Sequence, residues 1–143
     1  VVYGYCAPLP YDANYASIKS QLTTPQSIAE YMTAYFTYEF HSGYSPYAPD
    51  TFNSRKLGDC KDYSTFFADI LSSHGYTVHK YAFRYDIQNN WGHVVSIFTD
   101  TNGLQYVASN KGSSQQIFGP ISSLNEAGAI LIANGVPQRC VVA

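Results

Sequence analysis

Apolar residues recur at helical spacing in four stretches and at alternate positions in three others. Ile18 and Leu22 stand four apart and predict a short helix from Asp12 to Leu22. Thr24-Pro25 combines a capping hydroxyl with a proline at the first helical position. Ile28, Met32, Tyr35 and Phe36 then share one face, so a second helix should run to about Phe40 and end near Gly43. Asp59 reads as an N-cap, with Asp62 in the first turn facing the positive helix end. Phe66, Phe67, Ile70 and Leu71 supply the apolar stripe of that third helix, and Gly75 stops it. Three strands follow: Tyr76–Asp86, His93–Thr99 and Leu104–Asn110. The Asn-Gly within Asp100-Thr101-Asn102-Gly103 is a strong hairpin signal between the last two. Ser123-x-x-Glu126 opens a last helix, which stops near Asn134-Gly135 before Pro137. Residues 42–58 read as a loop punctuated by Gly43, Pro46, Pro49 and Gly58, with Tyr44, Tyr47 and Phe52 as its aromatics. A loop of that length is uncommon in a compact domain and is often functional.

Helices, then an antiparallel meander, then a helix make an α+β fold. The 143 residues suit a single domain over 1–143. Charged residues make up only 13%, about half the typical share of roughly 25%. Tyrosine, with 14 copies, joins Ser, Thr, Asn and Gln in supplying the polar surface. Net charge is −2, and apart from Arg55-Lys56 the basic residues are scattered. A nucleic-acid binder needs a basic stripe, so that class is set aside. No apolar run is long enough to predict a membrane span. The chain opens on Val1-Val2-Tyr3 with no leader or lipidation signature, as in a mature or excised domain. The expected form is a monomer.

The cysteines are Cys6, Cys60 and Cys140. None is spaced as a zinc pair, and His41, His74 and His79 show no ligand spacing, so no metal or other cofactor is expected. Cys6 and Cys140 sit near opposite chain ends, which often meet in space, and are the expected disulfide. Low charge and a disulfide point to an extracytoplasmic or secreted protein.

Cys60 falls in the first turn of its helix, where the dipole stabilises a thiolate. Gly92-His93 opens a strand, and a histidine there can face a helix packed on the sheet. Together they would make an activated nucleophile and its general acid/base. Pairing Thr99 with Leu104 across the turn sets His93 opposite Asn110, both side chains on one face about 5 Å apart. Asn110 can then orient the imidazole. Asp100 lies about 20 Å down the strand, and Asp62 shares the helix of Cys60. The Cys60 backbone N–H is one donor for an oxyanion. Among Tyr44, Tyr47 and Asn53, Tyr47 is the chosen second donor, and Trp91 is a candidate cleft wall or shield for the imidazole.

In order, Gly58-Asp59-Cys60-Lys61-Asp62-Tyr63-Ser64, then Gly92-His93-Val94-Val95, then Tyr106-Val107-Ala108-Ser109-Asn110 resemble the core of the transglutaminase-like superfamily, over about residues 24–110. The resemblance implies a papain-like arrangement, with a nucleophile helix packed on an antiparallel sheet. It maps the family's cysteine on Cys60, its histidine on His93 and its acidic residue on Asn110. The family usually has Asp at that last place, and an aromatic where Val95 stands. Asn fills the orienting role in papain-like proteases. The implied activity is hydrolysis of amide, peptide or isopeptide bonds through a thioester, on a peptide or protein substrate such as cell-wall peptide. The alternatives are amine transfer, as in a transglutaminase, and a catalytically idle binding module.

Overall fold

The computed structural model describes residues 8–137 and 140–141. Two short helices start the chain, α1 (Tyr15–Gln21) and α2 (Pro25–Tyr35). Asn14, rather than Asp12, caps α1 by accepting from the Ser17 N–H. Thr24 caps α2 in a reciprocal box with Ser27. α2 stops before the expected Phe40, because Phe36 is already extended. Thr37–Tyr38 (β1) turns away to pair in parallel with Leu57–Gly58 (β2). Between them lies α3 (Pro49–Arg55), inside the stretch expected to be loop. Pro49 at its first turn and Asp50 beside it were its start signals.

α4 (Cys60–Ser73) is the central helix. Tyr63, Phe66, Phe67, Ile70 and Leu71 repeat at three- and four-residue spacing and are fully buried. Each large side chain so buried contributes about 1.5–3 kcal/mol. They pack with Phe36, Phe52, Phe98 and Tyr106 in the main core. Tyr15 anchors α1 to α4 by donating its hydroxyl to Asp69 at 2.5 Å, where Lys19 also reaches the carboxylate at 2.9 Å.

The sheet has the order β3-β4-β5-β6, all antiparallel neighbours: β3 (Val78–Asp86), β4 (Trp91–Thr99), β5 (Gln105–Lys111) and β6 (Ser114–Ile121). β6 was not expected, since its Ser-Gln-Gln start hides the alternation. Helix α5 (Leu124–Ala133) covers the second face, as the Ser123 cap predicts. Even-numbered β4 residues Ser96 and Phe98 face α4, while Val95 and Ile97 join Ala127 and Leu131 of α5 in a second cluster. The mixed α+β class and the helix packed on an antiparallel sheet therefore stand, in three layers with the sheet in the middle. Strand β7 (Cys140–Val141) pairs with the start of β4, beside Trp91 and Gly92. Among the described residues, no helix is long and apolar enough to cross a membrane.

The Asp69 anchor has a pH signature. Partial burial pushes its carboxyl up, but the Tyr15 and Lys19 hydrogen bonds outweigh this and hold it below the ordinary value of 3.8. A depressed carboxyl stabilises the fold above its unfolded value and loses that contribution as pH falls through the folded one. Thermal melts from pH 5 down to pH 2 should therefore show a shallower acid loss in Asp69→Asn than in the wild type. Parallel curves would remove Asp69 from the acid response.

Candidate active site

The site is organised by the start of α4. Asp59 caps it, accepting from the Lys61 N–H at 3.0 Å, and its own N–H donates to Asp62 Oδ2 at 2.7 Å. Asp59 is the N-cap expected, and the reciprocal bond from Asp62 makes the pair a capping box. Asp62 also draws in the preceding loop. Its Oδ1 accepts the Tyr47 N–H at 2.7 Å, and its Oδ2 lies 2.7 Å from His41 Nε2. Burial pushes the Asp62 carboxyl above its ordinary value; the Asp59 and Tyr47 N–H groups oppose this, the nearby Asp59 charge adds to it, and His41 opposes it. Lys61, itself buried, reaches Asp59 Oδ2 at 2.8 Å and balances that charge.

Cys60 is the first residue of α4 and has no solvent exposure. Its sulfur is bonded to Cys140, with the two Cα atoms 6.2 Å apart. The Val94 N–H donates to Cys60 Sγ at 3.3 Å, and the Val94 side chain packs on the disulfide. The expected Cys6–Cys140 bridge is thus corrected. Strand β7 carries Cys140 to β4 at Gly92, directly beside the α4 start. Cys6 lies outside the described residues.

His93 is also corrected. Val94 faces Cys60, so its neighbour His93 alternates to the α5 face, with Phe83 opposite it on β3. The fully buried imidazole bonds through Nε2 to Ser109 Oγ at 2.7 Å, not to Asn110. Ser109 Oγ also lies within hydrogen-bond distance of the Asn110 carbonyl, at 3.0 Å.

The cause is a one-residue difference in register. Asp100 closes the hairpin with Leu104: its N–H reaches the Leu104 carbonyl at 2.8 Å, and its Oδ1 accepts the Leu104 N–H at 2.9 Å. Only three residues remain in the loop, with Gly103 at φ 82°. Thr99 then pairs with Gln105 and Ser96 with Ala108. A slip of one residue exchanges the faces of a strand. Ser109 joins His93, and Asn110 moves to the other face. There Asn110 pairs with Gln115 and donates Nδ2 to the Gly112 carbonyl at 3.0 Å, while its buried Oδ1 has no hydrogen-bond partner among the described residues. Cys60, His93 and Asn110 are not brought together as an expected triad.

Tyr47 contributes its backbone N–H to Asp62 and its ring to a stack on His41, with centroids 4.4 Å apart. Trp91 begins β4 opposite Asp86 and Val141. His41, which was dismissed for lack of ligand spacing, is the histidine at the Cys60 end of α4. Only the fold of the 42–58 stretch reveals it. His41, Asp59 and Asp62 lie close enough to share a cation. Their oxygens already accept from Lys61, Tyr47, Asp59 and His41, so a cation would have to displace these donors. A groove of about 160 Å³ is bounded by Tyr44, Pro46, Lys61, Lys80 and Val94.

No protein-family model matches the chain, and no characterised protein matches it.

Gly58 fixes how closely the loop approaches this helix start. A Cβ there would stand 2.6 Å from Asp62 Oδ2 and 2.8 Å from Phe52. Gly58→Ala should cost about 1–3 kcal/mol, as overpacked cores do. Chemical denaturation would measure it, and an unchanged midpoint would show that the loop yields without loss.

Proposed function

We propose that the protein is a cysteine-dependent hydrolase of amide, peptide or isopeptide bonds, with Cys60 in its thiol form as the nucleophile. The observation that carries this reading is the setting of the Cys60 sulfur. It lies at the first residue of a capped, buried helix, with the Val94 N–H aimed at it. Helix dipole and hydrogen-bond donor both favour a sulfur anion. In the reaction, Cys60 Sγ adds to the carbonyl carbon and the C–N bond breaks. The amine leaves with a proton, and a thioester remains on Cys60. Water then attacks that carbonyl, giving the acid and restoring the thiol. An amine in place of water would make the same intermediate a transglutaminase product. The groove beside Val94 is where an acyl side chain fits, and a peptide substrate, including cell-wall peptide, suits an extracytoplasmic domain.

His93 is the proton carrier that the transglutaminase-like resemblance supplies, but its side chain leaves β4 on the α5 face, so reaching Cys60 would take a one-residue slip of the strand rather than a turn of the ring. His41 already stands at that end of α4, oriented by Asp62. A second reading, an idle binding module, is favoured by the divergence of Cys60 and His93 to opposite faces of the sheet.

One experiment separates these readings. In excess reductant, glutamine-containing, dipeptide and cross-linked cell-wall peptides are incubated with the protein and followed by mass. Cys60→Ala should abolish turnover while Cys140→Ala, which equally removes the disulfide, should retain it. His93→Ala should cost about 100-fold or more, in line with general acid–base contributions. A loss of that size in His41→Ala with His93→Ala near wild type would reassign the proton carrier. Turnover unaffected by Cys60→Ala would end the cysteine reading.

A further inference from the structure

Both ends of the Cys60–Cys140 bridge carry positional information. Cys60 occupies the helix start proposed above as the nucleophile's seat. Cys140 sits on a strand of two residues, held to β4 by the pairs Trp91↔Val141 and Gly92↔Cys140. β5 has already left β4 at this level, since the last β4–β5 pair is Ser96↔Ala108. β7 therefore occupies an edge of β4 that β5 leaves open, directly over the sulfur. Both cysteines are fully buried. A disulfide sulfur cannot serve as the thiolate that attacks a carbonyl.

We propose that Cys140 is a redox gate on Cys60: β7 is a strap that stores the nucleophile as a disulfide, and a thiol reductant releases it. The proposal rests on Cys60 being the nucleophile. Release balances in two exchanges. A reductant thiolate attacks Cys140 Sγ, the disulfide breaks, and Cys60 leaves as a thiolate. A second reductant thiolate then attacks the mixed disulfide at the reductant's sulfur. Cys140 leaves as a thiol after taking a proton, and the reductant departs as its own disulfide. Two electrons pass from the reductant to the protein. Attack at Cys140 is the favoured direction because the leaving sulfur is then Cys60, whose departing charge meets the helix start and the Val94 N–H. Burial means the reductant gains access as β7 lifts, and a strand with two pairs is the kind of element that opens locally. Once Cys60 is reduced, Val94 still points its N–H at the sulfur, while Lys61 offsets the Asp59 charge nearby.

The test uses iodoacetamide as the probe, with site-resolved mass detection, on oxidised wild type, wild type treated with dithiothreitol, and Cys140→Ser. Oxidised wild type should leave Cys60 unlabelled. Dithiothreitol treatment and Cys140→Ser should each raise its labelling rate by about 100-fold or more, as expected when a sulfur held in a disulfide is released as a nucleophile. Cys140→Ser should also turn over the peptide panel without reductant, at a rate within about threefold of reduced wild type, and should no longer respond to dithiothreitol. Equal Cys60 labelling in oxidised wild type and Cys140→Ser would overturn the gate and leave the hydrolase reading standing. Fast Cys60 labelling in Cys140→Ser with no turnover of any peptide would overturn the hydrolase reading, and the gate with it. Hydrogen exchange at Gly92, whose N–H shares the β4 edge of the Val94 N–H, gives a readout independent of catalysis. It should speed up on reduction if β7 is a strap, and unchanged exchange would refute the strap.

Discussion

The arrangement around Cys60 depends on one buried carboxylate. Asp62 gathers the Asp59 N–H, the Tyr47 N–H and the His41 ring onto two oxygens, with no solvent exposure of its own. These contacts join the helix start to the chain that precedes it by some twenty residues. They align α4, bring the 42–58 stretch down on its end, and fix the direction in which Cys60 leaves the backbone. The glycine at position 58 is the steric counterpart: any side chain there would displace the carboxylate. A buried charge of this kind is costly unless its hydrogen bonds are complete, and here three donors and a neighbouring lysine complete the network.

Much of this was legible in the amino-acid order. The N-cap at Asp59, the aromatic stripe of α4 and the N-caps at Thr24 and Ser123 each describe a local interaction, and each holds. Two of the failures are of longer range. Phe36 leaves the α2 pattern because a parallel partner at Leu57–Gly58 draws the chain into a strand, a contact that hydrophobic periodicity does not contain. β6 escaped notice because Ser114, Gln115 and Gln116 are polar, although Gln115 is buried.

The proposed site was misread by a single residue of turn geometry. Asn102-Gly103 correctly marked a hairpin, but the closing pair is Asp100 with Leu104, since the Asp100 side chain itself binds the Leu104 N–H. That local preference decides which of two adjacent residues, Ser109 or Asn110, meets His93. A hydroxyl has replaced an amide beside the imidazole. Cys140 posed a different problem. Chain ends meet often enough to make Cys6 a sensible partner, yet pairing of Cys140 opposite Gly92 is a property of the finished sheet.

The Cys60–Cys140 bond spans 80 positions and so closes a covalent ring through α4, the sheet and α5. Within that ring, the turn between β3 and β4 is exposed, with Ile87 at 75%. A protease that cuts there opens the ring into a linear, still-connected molecule rather than releasing a fragment. While the bond is intact, the nicked and whole chains differ in mass only by one water, and only reduction lets the two pieces part.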